Sequence, residues 1–315
     1  MSDGARSFEL ICGEARARVD ALGGELRRWR IGERDLLWSP QAAIWPAVSP
    51  ILFPIVGRLR GDEARVRGRT MPMGVHGFAA RKTFAIEQID ESCARCVLHD
   101  GRQTRMDYPF GFRLEVEYRL TAASLAIGLC VENTGDCDMP YACGLHPGFR
   151  WPFDDGARED YRIVFEQNEG PDVPEITSEG LFTRGRWRTP IEDRILPLSS
   201  DLFSREALCF LNASSRSVLF VSNSGAAILA ETEDFPHWAL WSRPRAPFLC
   251  VESWTGHGDP ADFVGDVFDK PSMRVLEPGA RGRHRALYTF LSEGGRFPSD
   301  GRSGKSLPSR AWIQR

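Results

Sequence analysis

His76, His146 and Glu252 stand one each in three short strings of this chain: VHGFAARKTF at 75–84, CGLHPGFRWP at 143–152 and CVESWTGHGD at 250–259. In each string the polar residue lies among Gly, Pro and aromatic residues at the end of a strand-like segment. An imidazole beside a carboxylate is the smallest set of groups that moves protons near neutral pH, because one can be neutral while the other is charged. His76, His146 and Glu252 therefore point to proton-transfer chemistry. The bland alternative for each histidine is a buried ring satisfied by backbone in a Gly/Pro turn. Glu252 follows the apolar run FLCV, where an unpaired carboxylate is costly to bury, so it needs a partner or a proton. There is no GxGxxG after a strand, no P-loop, no GxSxG elbow and no HExxH, which counts against nucleotide-dependent and serine-hydrolase chemistry. Aromatic residues flank the same strings, and of these Trp254 and Phe149 are expected to wall a pocket.

The elements that must position these groups are strands. Hydrophobicity alternates with a period of two in ARARVDAL (15–22), RCVLHD (95–100), FRLEVEYRLT (112–121), SLAIGLCVEN (124–133), YRIVFEQ (161–167), SVLFVSN (217–223) and AAILAET (226–232), the spacing of half-buried strands. Clusters of Gly, Pro, Asn and Asp such as NTGDCDMP break the runs, and no long amphipathic helix emerges. This predicts an all-β fold, a large antiparallel β-sandwich rather than βαβ units. Residues 1–292 read as one domain. Residues 293–315 are polar and rich in Gly, Ser and Pro, the composition of a disordered or loosely docked tail.

Composition narrows the partners. The formal charge of −3 over 315 residues creates no field that would draw nucleic acid or an anionic membrane. Only Lys82, Lys270 and Lys305 among the 40 basic residues are lysines, so the positive charge is nearly all guanidinium. Most of the eight cysteines sit in apolar runs, as reduced, buried thiols do. Cys93 and Cys96 form a lone CxxC without a second pair or nearby His to complete a zinc site, so no metal is expected. No secretory signal opens the chain and no run reaches the ~18 apolar residues of a membrane span, so the cytoplasm is the expected compartment.

SPILFPIVGRLRGD, then HGF, DYPFGFRLEVEYRL, MPYACGLHPGF and CVESWTG, in that order, resemble the aldose 1-epimerase family. The resemblance is strongest to its LacX-like branch within the galactose mutarotase-like superfamily, and runs from about Val19 to about Phe290. It implies a β-supersandwich that interconverts the α and β anomers of free aldoses without metal or cofactor. It also implies Glu252 as general base on O1, His146 as acid at the ring oxygen, and His76 as hydrogen-bond partner of the ring oxygen or a neighbouring hydroxyl. Arg58 would hold sugar hydroxyls through its donor fork, although a surface ion pair at a sheet edge is its plainer role. Asp201, in SSDLF, would accept bonds from hydroxyls. Two departures bear on substrate contacts: Arg81 is displaced by one residue in HGFAARKTF, and Ser253 replaces the proline of the branch's EPW. Other readings are an epimerase of an anionic hexose clamped by Arg60, Arg81 or Arg150, a noncatalytic sugar-binding protein, and a β-sandwich without ligand.

Overall fold

Alternation builds the larger sheet. In the computed structural model, which describes residues 7–292, strands Phe112–Leu120 and Ser124–Asn133 bury every second side chain and pair antiparallel. Such a pattern gives one face to a core and the other to water. They lie inside a nine-stranded antiparallel sheet running Ile195–Pro197, Tyr161–Phe165, Ser217–Ser222, Ala227–Glu233, Arg281–Leu291, Ser124–Asn133, Phe112–Leu120, Cys93–His99 and Ala85–Asp90. The seven alternating segments of the sequence all fall on strands, and among the described residues the one α-helix is the single turn Thr104–Asp107. The polar tail assigned to 293–315 lies outside the described residues.

The second sheet carries the chemistry. Its order is Leu208–Phe210, His237–Trp241, Phe248–Trp254, Gly144–Leu145 and Ile51–Leu52, with Gly148–Arg150 also pairing with Phe248–Trp254. Strand Phe248–Trp254 is buried at all seven positions, which is why its sequence shows no alternation. Leu249 and Val251 join Trp238, Leu240 and the inward residues Leu114, Val116, Ile127 and Leu129 of the nine-stranded sheet in one hydrophobic core. Burying side chains of this size stabilises by about 1.5–3 kcal/mol each before conformational entropy is counted. The sandwich thus fixes one face of Phe248–Trp254 rigidly and leaves the other to line a site.

Cys93 and Cys96 are buried within strand Cys93–His99, where positions three apart point to opposite faces. Burial pushes their thiols up to about 11 and about 12 respectively, so both stay protonated and pack as small apolar groups. No helix among the described residues is long and apolar enough to cross a membrane.

Candidate active site

Register brings the proposed acid and base together. Gly144 and Leu145 pair with Trp254 and Ser253, and Gly148 resumes the pairing with Cys250. His146 therefore falls opposite Glu252, at the point where Pro147, having no N–H, interrupts the ladder. His146 Nε2 lies 3.3 Å from Glu252 Oε2, and the two residues are only 7% and 1% exposed. The Trp254 indole N–H donates to the same carboxylate oxygen at 3.0 Å.

Burial dominates the electrostatics of this pair. It pushes the Glu252 carboxyl well above its usual range, against the pull of the Trp254 hydrogen bond. It pushes the His146 imidazole well below its usual value, helped by the neighbouring His76. A low-dielectric site disfavours separated charge, so the proton they share rests on the carboxyl and the imidazole is neutral.

His76 is held by a different device. Its backbone is left-handed, with φ +59°, and the next residue, Gly77, has φ +74°. A side chain at Gly77 would put its Cβ 2.2 Å from the Phe53 carbonyl oxygen, so only glycine fits where HGF crosses Phe53. The Gly57 N–H donates to His76 Nδ1 at 3.1 Å while the His76 N–H donates to the Gly57 carbonyl at 2.8 Å. With Nδ1 accepting, the ring proton sits on Nε2, and His76 is a neutral donor. Burial first, and the nearby Arg58 charge second, lower its pKa to about 4, so it remains neutral at pH 7. Its ring meets that of His146 edge-on at 5.5 Å between centroids and lies 6.5 Å from Trp254.

The remaining sequence candidates divide. Arg58 leads out of Gly57 on the same turn, but its guanidinium is engaged by the Asp62 carboxylate at 2.9 and 3.0 Å. Trp254 stands beside the His146–Glu252 pair. Phe149 does not: its ring is buried in the core against Tyr288, 5.5 Å between centroids. Asp201 lies in an exposed turn where its carbonyl accepts from Ser204 N–H. Among the described residues no hydrogen bond or ion pair joins its carboxylate to His76, His146 or Glu252.

The aromatic walls at His146 are Trp45 and Trp241, with ring centroids 5.2 and 5.8 Å from the imidazole. Trp241 shares the face of Glu252, because Ala239 is the cross-strand partner of Glu252 and Trp241 stands two residues on. His237 has the same phase, and its ring lies 5.6 Å from that of His257. Period-two counting in HWALW would have found both Trp241 and His237, whereas Trp45 comes from an irregular segment with no local signal. His257, whose backbone closes against Gly57, sits beside Phe182 at 5.0 Å.

This architecture and these strings have close counterparts. Residues 6–289 match the family model of aldose 1-epimerase. Protein LacX from Lactococcus lactis subsp. lactis is 31% identical over 271 residues, covering 82% of this chain and 90% of that protein. The galactose mutarotase related enzyme from Lactobacillus acidophilus superposes with a TM-score of 0.84 at 28% identity, covering 91% of this chain and 97% of the other. Galactose 1-epimerase from Lactobacillus acidophilus NCFM shares the fold with a TM-score of 0.67 at 13% identity, over 90% of this chain and 94% of its own.

Proposed function

The chain belongs to the aldose 1-epimerase family, a family of carbohydrate epimerases, and from that premise we propose that it is a mutarotase of a free hexose. The observation that carries this reading is the buried contact of 3.3 Å between His146 and Glu252. A pyranose admitted beside these groups offers its O1 hydroxyl to one and its ring oxygen to the other.

Glu252 as carboxylate takes the O1 proton while protonated His146 gives its proton to the ring oxygen. The bond from C1 to the ring oxygen breaks, O1 becomes the aldehyde oxygen, and rotation about C1–C2 presents the other face for closure. Ring opening leaves a protonated carboxyl and a neutral imidazole, the form that burial favours; closure regenerates the ion pair. Each positioned proton carrier contributes about 10² to 10⁴ in rate. His76, its proton fixed on Nε2 by Gly57, donates to the ring oxygen or an adjacent hydroxyl without adding charge. Trp45, Trp241 and Trp254 supply apolar faces for the sugar's C–H patch. Arg58 reaches hydroxyls only by sharing its fork with Asp62, and a role for Asp201 requires its turn to fold over the sugar.

The arginines suggested for an anionic hexose favour a neutral one. Arg81 donates to the Gly77 carbonyl at 2.6 Å, and the Arg60 and Arg150 residues are exposed. The test is anomer exchange by saturation-transfer NMR on glucose, galactose, their 6-phosphates and a 6-sulfo hexose, with wild type beside Glu252→Gln. Acceleration of a neutral hexose by wild type alone is the expected result. Binding of sugar without acceleration would replace the reading with a noncatalytic sugar-binding protein, and a preference for the 6-phosphate or 6-sulfo sugar would replace it with an epimerase of anionic hexoses.

A further inference from the structure

The mechanism gives Cys250 no task. Cys250 stands two residues before Glu252 on strand Phe248–Trp254, so its sulfur leaves the sheet on the face of the carboxylate. It is a free thiol and fully buried. His146, opposite Glu252, completes a triangle in which one imidazole nitrogen, one sulfur and one carboxylate oxygen all lie within 4.8 Å of one another. Among the described residues no other three His, Cys, Asp or Glu side chains converge in this way.

Three donors of three kinds select an ion. Calcium and magnesium take oxygen ligands, whereas zinc and cadmium accept nitrogen, sulfur and oxygen together. Zn–S and Zn–N bonds of about 2.3 and 2.0–2.1 Å place tetrahedral donors roughly 3.4–3.6 Å apart. The nitrogen–oxygen edge already measures 3.3 Å, and the sulfur lies within 4.8 Å of both atoms, near the spacing such an ion needs. Three protein ligands leave a fourth position for water or a sugar hydroxyl. The aromatic side chains Trp45 and Trp241 flank His146, and an ion needs a narrower approach than the hexose does.

We propose that His146, Cys250 and Glu252 form an inhibitory site for a thiophilic divalent cation, with zinc the biologically common ion of that class. Binding involves no redox step. The sulfur–hydrogen bond of Cys250 breaks with its proton passing to solvent, a metal–sulfur bond forms, and the proton shared by Glu252 and His146 is released as the carboxylate oxygen and imidazole nitrogen donate to the metal. While the ion is bound, neither group can carry a proton to or from the sugar, and the sugar's place beside them is taken. Inhibition is therefore reversible by chelation and competitive with hexose. The inhibitory part rests on the proposed mutarotase reaction; the binding part does not.

The experiment titrates the full reduced chain with Cd²⁺ and, separately, Zn²⁺. It follows the ultraviolet cadmium–thiolate charge-transfer band, calorimetric stoichiometry and anomer exchange side by side, in wild type and in Cys250→Ser. Wild type is expected to bind one ion with the thiolate band, to lose activity in proportion and to regain it with EDTA. Cys250→Ser is expected to keep its metal-free anomer exchange, lose that band and bind the ion at least ~10-fold more weakly, since even outer partners of a metal site are worth 10–100-fold. Unchanged cadmium binding in Cys250→Ser, or no one-to-one binding in wild type, would sink the proposal. If the chain accelerated no sugar, the band and the calorimetry would still decide whether the site exists, which separates failure of the metal site from failure of the mutarotase reading.

Discussion

A buried carboxyl and imidazole 3.3 Å apart hold one proton between them more readily than two charges. In the proposed reaction that proton is spent and recovered in each cycle, so removing either holder removes the cycle. Glu252→Gln and His146→Ala are each expected to lower turnover at least ~10²-fold while circular dichroism stays unchanged; a folded variant with near-normal turnover would overturn that residue's assignment. Trp254 tests the tuning of the base. Its N–H holds the carboxylate against burial, so Trp254→Phe raises the Glu252 pKa further. Because the pair works while it holds one proton, and that proton rests on the carboxyl, the alkaline limb of the kcat/KM profile moves to higher pH. Loss of a hydrogen bond to a charged group, about 1.5–3 kcal/mol, corresponds to a shift of roughly one to two pH units. A limb that stayed in place or moved to lower pH would mean that the indole does not tune the base. Residue types made His146, Glu252 and His76 legible in the sequence. Phe149 was misplaced although a signal existed: it is an odd number of residues from His146, and a strand sends such positions to opposite faces.

At the scale of elements, the site depends on backbones that touch. Gly57 has φ +73°, and a Cβ there would lie 2.5 Å from the Gly258 nitrogen; its own N–H fixes the His76 tautomer. Gly57→Ala combines left-handed strain with overpacking, about 1–2 and 1–3 kcal/mol. It is expected to lower Tm by several degrees and kcat/KM with it, as the His257–Gly258 backbone is pushed away and His76 loses its donor. A variant with wild-type Tm and kinetics would show that the contact is dispensable. The glycine is visible in VGRL, but not its neighbour, which lies two hundred positions away. Two-residue strands such as Ile51–Leu52 are equally silent, because tertiary pairing and not local pattern makes them. The long alternating strands of the nine-stranded sheet needed no such help.

At the scale of the molecule, a charged histidine ties the large sheet to the segment that enters the site sheet. His284, on strand Arg281–Leu291, contacts the Asp234 carboxylate through Nδ1 at 3.0 Å and the Tyr141 hydroxyl through Nε2 at 2.9 Å. Asp234 in turn receives two hydrogen bonds of 2.8 Å from the Arg274 guanidinium, and lies just before strand His237–Trp241. Burial works against the His284 charge, but the Cys143 sulfur and the Asp234 carboxylate outweigh it and raise the pKa from 6.5 to about 10. A folded-state pKa above the unfolded one stabilises by a contribution that is complete below pH 6.5 and is lost as pH rises through about 10. The slope cannot exceed about 1.4 kcal/mol per pH unit for one proton. Urea unfolding between pH 6 and 10 should therefore show wild type losing stability steadily, while His284→Gln, lower at the start, loses less across the same range. Parallel curves for the two proteins would mean that His284 is neutral in the folded state and that the link between the sheets rests on hydrogen bonding alone.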